Sequence, residues 1–155
     1  MKLKTLLLLL LYCSLIQPIF AQAKHYSFAE IDSLQRQAPR KVLVFIHTDW
    51  CHYCQQMKQL TFKNKELVAL MEQHFYFVML NAEEKADIYF NGHLFKFKPN
   101  GNGTGLHELA SALATIDGQI SYPSIAILSE KRELVFQYNQ ALKARELISL
   151  LQELK

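Results

Sequence analysis

Residues 41–46 read Lys-Val-Leu-Val-Phe-Ile, an almost unbroken apolar run rich in β-branched side chains. Such a run, with no polar residue in alternation, predicts a central strand buried on both faces. Other segments show the helical period. Ser27 with Glu30 three residues later is a capping-box signature, and Phe28, Ile31 and Leu34 follow at helical spacing, so Ser27 to Gln37 predicts a helix ended by Pro39. A helical pattern follows Cys51 through Leu60. Asn64 to His74 predicts a further helix with Leu67, Val68, Leu70 and Met71 on its apolar face, and Phe75 to Leu80 a second buried strand.

The middle of the chain is less regular. Asp87 to Phe97 has Asn91-Gly92 between aromatic-rich flanks, a strong hairpin signal. Pro99 to Gly105 reads as a loop, Leu106 to Ile116 as a helix with Gly118 as its C-cap, and Ser124 to Leu128 as a strand. A turn over Ser129 to Arg132 leads into a partner strand, Glu133 to Tyr138. The chain closes with an amphipathic helix, Ala141 to Leu154. Strands alternating with helices predict an α/β sheet covered on both faces, with a hairpin insertion around residues 85–105. That insertion either shapes a partner surface or, the plainer reading, packs Tyr89, Phe90, Phe95 and Phe97 as a small satellite cluster.

The first residues do not belong to this pattern. Met1-Lys2-Leu3-Lys4 is a short basic stretch, Thr5 to Ile16 is mostly leucine, and Ala21-Gln22-Ala23 offers small-residue cleavage positions. Together they read as a secretory signal peptide over residues 1–23, cut after Ala21 or Ala23, ahead of one domain over 24–155. Gln17 and Pro18 interrupt the apolar run short of the roughly 20 residues a spanning helix needs. The 155 residues carry 17 basic and 14 acidic side chains. Two of the basic ones, Lys2 and Lys4, lie in the leader, so the domain is near neutral and has no basic stripe for nucleic acid.

Cysteine usage narrows the chemistry. Of three cysteines, Cys13 falls in the leader, leaving Cys51 and Cys54 as a single Cys-x-x-Cys pair in an exported domain. At the start of a helix this spacing places both side chains on one turn, within disulfide reach. The first cysteine then meets the unpaired N–H groups and positive end of the helix, which stabilise a thiolate. That makes Cys51 the attacking thiol and the more buried Cys54 the resolving one. His52, when protonated, favours the Cys51 thiolate, and Asp49 opposes it. Three duller readings stand beside this one: a structural disulfide, although so short a loop constrains little chain; a metal site using His47, His52, Cys51 and Cys54, completed by His93 or His107; and an inert reduced pair, which an oxidising compartment disfavours.

The segment from Lys41 through Trp50-Cys51-His52-Tyr53-Cys54 to Met57 resembles the active-site segment of thioredoxin-like proteins. Tyr122-Pro123 ahead of the strand Ser124–Leu128 resembles that family's cis-proline loop. The resemblance extends over essentially all of residues 24–155 and implies a thioredoxin fold, with no bound cofactor because the dithiol itself carries the electrons. It implies an exported thiol-disulfide oxidoreductase, more in the manner of a reductase, in the bacterial periplasm. It further implies catalysis by Cys51 and Cys54, substrate contact through Trp50, Tyr53, Tyr122 and Pro123, protein disulfide or dithiol substrates, a membrane redox partner and a monomer. The alternative is a thioredoxin-fold binding module for a protein or a metal that does not turn over. Two departures from the pattern are evident. Phe45 occupies the position of thioredoxin's buried acid, with His47 and Lys58 as stand-ins or merely solvated residues, and His52-Tyr53 replaces Gly-Pro between the cysteines. Met57 is expected in the core, Trp50 half-exposed, and His107 as a polar residue in the first turn of its helix.

Overall fold

The computed structural model describes residues 23–101 and 103–155. The signal-peptide expectation falls on residues 1–22, outside the described ones, apart from Ala23.

Lys41–His47 forms strand β1, and its neighbours determine the architecture. It pairs in parallel with β2 (Phe75–Asn81), from Lys41 opposite Phe75 to His47 opposite Asn81. On its other side it pairs antiparallel with β9 (Ser124–Leu128), from Val42 opposite Leu128 to Ile46 opposite Ser124. With β10 (Leu134–Tyr138) outside β9, the mixed sheet has the order β10-β9-β1-β2. Because side chains alternate along a strand, β1 supplies two cores. Leu43 and Phe45 pack with Cys51, Cys54, Met57, Phe62 and the two helices α3 (Lys65–His74) and α5 (Ala144–Leu154). Val42, Val44 and Ile46 pack on the opposite face with α1 (Phe28–Gln37) and α4 (Glu108–Ala114). This is the expected thioredoxin fold.

Local chemistry accounts for the helix starts. The Glu30 carboxylate accepts from both the backbone N–H and the hydroxyl of Ser27, each at 2.7 Å, closing the start of α1. The Asn64 side chain accepts from Leu67 N at 3.0 Å at the start of α3. The segment carrying Cys54 begins as α2 (His52–Gln56) and continues as a π-helical turn over Met57–Thr61, in which Phe62 N–H reaches back five residues to the Met57 carbonyl. One sequence-derived helix is thus two kinds of helix. The Thr61 hydroxyl ties the wider turn to Leu142 O at 2.8 Å, in the approach to α5.

Between β2 and α4 the chain folds into two small hairpins. The first, β3 (Ile88–Phe90) with β4 (His93–Phe95), turns at Asn91-Gly92, both with positive φ, as expected. The second was not expected: Pro99 to Gly105 read as a loop and Leu106 as the start of a helix, but β5 (Phe97–Pro99) pairs with β6 (Gly105–His107), and the helix begins only at Glu108. The satellite cluster also needs correction. Phe90 is buried against Phe28 in the main core, with ring centroids 4.9 Å apart, while Tyr89 is exposed.

Two further expectations fail nearby. The helix predicted through Ile116 stops at Ala114, because the β-branched pair Thr115-Ile116 forms β7 and pairs with β8 (Gln119–Ile120). Asp117 (φ 51°) and Gly118 (φ 76°) make the two-residue turn between them, so Gly118 is a hairpin glycine and not a helix cap. The closing helix starts at Ala144 rather than Ala141, with Glu146 accepting from Lys143 N at 2.7 Å. Among the described residues no helix is long and apolar enough to cross a membrane.

Gly105 is the glycine the second hairpin depends on. A Cβ there would stand 2.3 Å from the Phe97 ring, 2.4 Å from Lys98 O and 2.8 Å from Pro99 Cα. Two of those atoms are backbone and cannot swing aside. Gly105→Ala is therefore expected to cost about 1–3 kcal/mol by forcing β5 and β6 apart. Amide hydrogen exchange checks this: protection should fall over residues 97–107 and persist in β1.

Candidate redox site

The site lies where three chain segments meet at the C-terminal end of β1. Beyond His47 the chain leaves the sheet through Thr48, Asp49 and Trp50 and delivers Cys51 as the N-cap of α2. The pairing of Ile46 with Ser124 brings the start of β9, and with it Tyr122-Pro123, to the same end of the sheet. The Tyr122–Pro123 peptide bond is cis. The pairing of His47 with Asn81 brings the end of β2 there too, so that Asn81, Ala82 and Glu83 border the loop.

Cys51 and Cys54 are joined in a disulfide, with Cα atoms 5.2 Å apart. The Cys51 sulfur also accepts from the backbone N–H of Cys54 at 3.1 Å. That contact is the helix-terminal donor expected to favour a thiolate on the first cysteine. Cys54 is wholly buried and Cys51 retains 5% exposure, which orders their accessibility as the sequence suggested.

Aromatic residues surround the pair. Trp50 is 69% and Tyr53 60% exposed, so Trp50 stands further out than the half-exposure expected. Its Nε1 donates to Glu83 Oε1 at 3.2 Å, and its ring meets Tyr122 edge to face at 6.1 Å. Tyr122 is half-buried and Pro123 buried. Burial first, and the nearby Glu83 charge second, push the Tyr122 phenol above its ordinary value of 10. The carboxylate of Asp49, the residue expected to oppose a thiolate, accepts from Asn81 Nδ2 at 3.2 Å. Met57 is in the core as expected.

His47 is not solvated, and Lys58 beside it is partly buried. His47 is buried on the same face of β1 as Phe45, on whose ring it stacks at 5.6 Å. Its Nδ1 lies 3.1 Å from Lys58 Nζ. An ammonium has only protons to offer, so Nδ1 accepts and the neutral ring carries its proton on Nε2. Burial and then the Lys58 charge push the His47 pKa down to about 4, and burial lowers that of Lys58 as well. Phe45, at the position where the resemblance expects an acid, is wholly buried, and beside it stand this imidazole and its Lys58 neighbour.

His107 also departs from expectation. It is completely buried as the N-cap of α4, with Nδ1 accepting from Leu109 N at 3.2 Å and Nε2 unpartnered. Among the described residues no group of three or more His, Cys, Asp or Glu side chains converges where a metal would bind. The residue that sequence reasoning missed is Glu83. Its only sequence signal is its place two positions past the end of a strand parallel to β1, the place where such strands deliver residues to a site.

A histidine held neutral by burial links stability to acid. Between pH 6.5 and about 4 the unfolded chain binds a proton at His47 that the folded protein refuses. Stability is therefore expected to fall as pH drops through that window, by at most about 3 kcal/mol from this group, and not to change on its account above pH 6.5. Urea titrations of wild type and His47→Gln at a series of pH values check this, the variant showing the shallower acid slope.

The comparisons agree with this geometry. The profile of the thioredoxin-like family matches residues 29–129. Among solved structures, the chain is similar to a thioredoxin from Thermus thermophilus (20% identity over 86% of this chain and 88% of that one, TM-score 0.60). It is similar to the oxidoreductase DsbH at 15% identity, covering 88% of each chain with a TM-score of 0.59. The reduced C-terminal domain of Neisseria meningitidis DsbD matches at 16% identity over 82% of this chain and 92% of that one, TM-score 0.53. Among curated proteins none matches the chain. The chain belongs to the thioredoxin-like family, as an oxidoreductase-like member whose redox pair is Cys51–Cys54.

Proposed function

We propose that the protein is an exported thiol-disulfide oxidoreductase that reduces disulfides in polypeptide clients. The observation that carries this is the Cys51–Cys54 disulfide at the start of α2, its more accessible sulfur held by a helix N–H and bordered by exposed Trp50 and Tyr53. A pair kept only for stability would bridge a longer loop and would not need two large aromatic side chains in water around it.

In the reduced protein the Cys51 thiolate attacks one sulfur of a client disulfide. A mixed disulfide forms between Cys51 and the client, and the second client sulfur leaves as a thiolate that takes a proton. Cys54 then loses its proton and attacks the Cys51 sulfur. The Cys51–Cys54 bond reforms and the client departs with both thiols, having gained two electrons and two protons. Trp50, Tyr53, Tyr122 and Pro123 border the groove in which the client lies. A membrane-borne dithiol donor restores the reduced pair, since an oxidising compartment offers no soluble supply. The protein acts as a monomer in the periplasm, and the leader over the first residues is removed in export. Cleavage after Ala21 suits the fold better than cleavage after Ala23, because Ala23 is 6% exposed and packs in the core with Phe62 and Phe77.

Two variants and one potential test this reading. Cys51→Ser should abolish turnover of a disulfide-bonded peptide, and Cys54→Ser should accumulate clients covalently attached through Cys51, visible as adducts on non-reducing gels. A wild-type protein with no turnover would leave the binding-module alternative in its place. Equilibration in graded glutathione buffers should give a reduction potential near the roughly −270 mV of a thioredoxin. A value near the roughly −120 mV of a strong oxidant would reverse the direction.

A further inference from the structure

A cavity of about 290 Å³ opens beside the redox site, between the aromatic pair on one side and the β5–β6 hairpin on the other. Thr48, Trp50, Glu83 and Tyr122 line it from the site, and Lys98 and Leu106 from the hairpin. Glu83 occupies a particular position in it. Its carboxylate is held by the Trp50 indole N–H, and it stands close enough to Tyr122 to oppose ionisation of the phenol.

Among the described residues the ion pairs are Lys98 with Glu108, at 3.0 Å, and Arg132 with Asp32. Glu83 belongs to neither. Lys98, the cation lining the same cavity, is held by Glu108, whose carboxylate also accepts from Lys96 N at 2.7 Å. The cavity therefore offers one carboxylate without a counter-charge, next to two aromatic rings. A partly enclosed anion beside π-faces is a recognition site for a cation: the rings attract it through their quadrupoles and the carboxylate through its charge. An anionic side chain would meet the Glu83 charge, while the Lys98 ammonium is already engaged by Glu108. A purely apolar one would desolvate that carboxylate and return nothing.

We infer that this cavity receives the ammonium or guanidinium group of a lysine or arginine flanking the reactive cysteine of a polypeptide client, with Glu83 as its counter-charge and Trp50 and Tyr122 as its walls. The long aliphatic stem of such a side chain covers Leu106 and Ile120 while its head reaches Glu83. The insertion then has a purpose in selecting clients, because its second hairpin supplies Lys98, Asn100, Gly105 and Leu106 to the cavity lining. This role for the cavity rests on the oxidoreductase reading above, and it adds the substrate's local charge to it.

The test uses three disulfide-linked peptides, identical except for Arg, Gln or Glu beside the reactive cysteine, with each flank substituted in turn. Wild type should show kcat/KM about five- to ten-fold higher for Arg than for Gln on one of the two flanks, with Glu lowest. The preference should shrink between 0.05 and 0.5 M salt, as charge pairing at a partly exposed site requires. Glu83→Gln keeps an oxygen for the Trp50 N–H but removes the charge, and should bring the Arg-to-Gln ratio to within two-fold of unity.

The same comparison is then made without chemistry. The Cys51→Ser/Cys54→Ser double variant, with and without Glu83→Gln, is titrated with the linear peptides carrying a methylated cysteine, and the affinities should follow the same order. Equal kcat/KM for all three peptides in the wild type, or a preference unchanged by salt and by Glu83→Gln, overturns the cation site and leaves the oxidoreductase reading standing. Preferential binding of the Arg peptide by the double variant, with no turnover of any peptide by the wild type, does the reverse.

Discussion

Everything in this molecule depends on β1 being buried from both sides at once. Val42, Val44 and Ile46 face α1 and α4, while Leu43 and Phe45 face the layer of α2, α3 and α5. The same strand bonds laterally to β2 and β9. A strand held on four sides has one register and one place to end, and it ends at His47, four residues before Cys51. Replacing Phe45 by alanine would remove about 3–5 kcal/mol of packing and would also loosen the platform from which the site loop departs. The position of the redox pair is thus a consequence of core packing, and its neighbours Tyr122 and Glu83 arrive through the two lateral pairings.

How much of this was legible in the sequence follows from which forces act locally. The buried runs at 41–46, 75–80 and 124–128 were readable because a strand covered on both faces admits few polar residues. The Cys51–Cys54 pair was readable because its chemistry is contained in four consecutive residues. Asn91-Gly92 announced its hairpin through backbone conformations that few other residues accept. The second hairpin, β5–β6, is three residues a side and contains a proline and a glycine, so it carries no periodic pattern. It forms because α4 and the end of β2 hold it, with His107 N bonded to Ala82 O at 2.8 Å and Glu108 N to Lys96 O at 2.9 Å.

The misread histidines have a related cause. His47 looked solvated because it follows the apolar run, yet the parallel neighbour β2 continues beside it to Asn81 and keeps it dry. His107 looked like an ordinary first-turn residue and is instead a buried cap whose ring replaces the usual hydroxyl or carboxamide. Glu83 was overlooked because nothing within its own segment distinguishes it from Glu84. What sets it apart is an indole 33 positions earlier in the chain.

That indole has another consequence. Trp50 is the only tryptophan among the 155 residues, and it is the immediate chain neighbour of a redox sulfur. Light absorbed selectively by tryptophan is therefore absorbed in one place only, with no second indole elsewhere in the fold to dilute the signal. The emission of a single native chromophore therefore reports on one place in the molecule, the immediate surroundings of the Cys51–Cys54 pair.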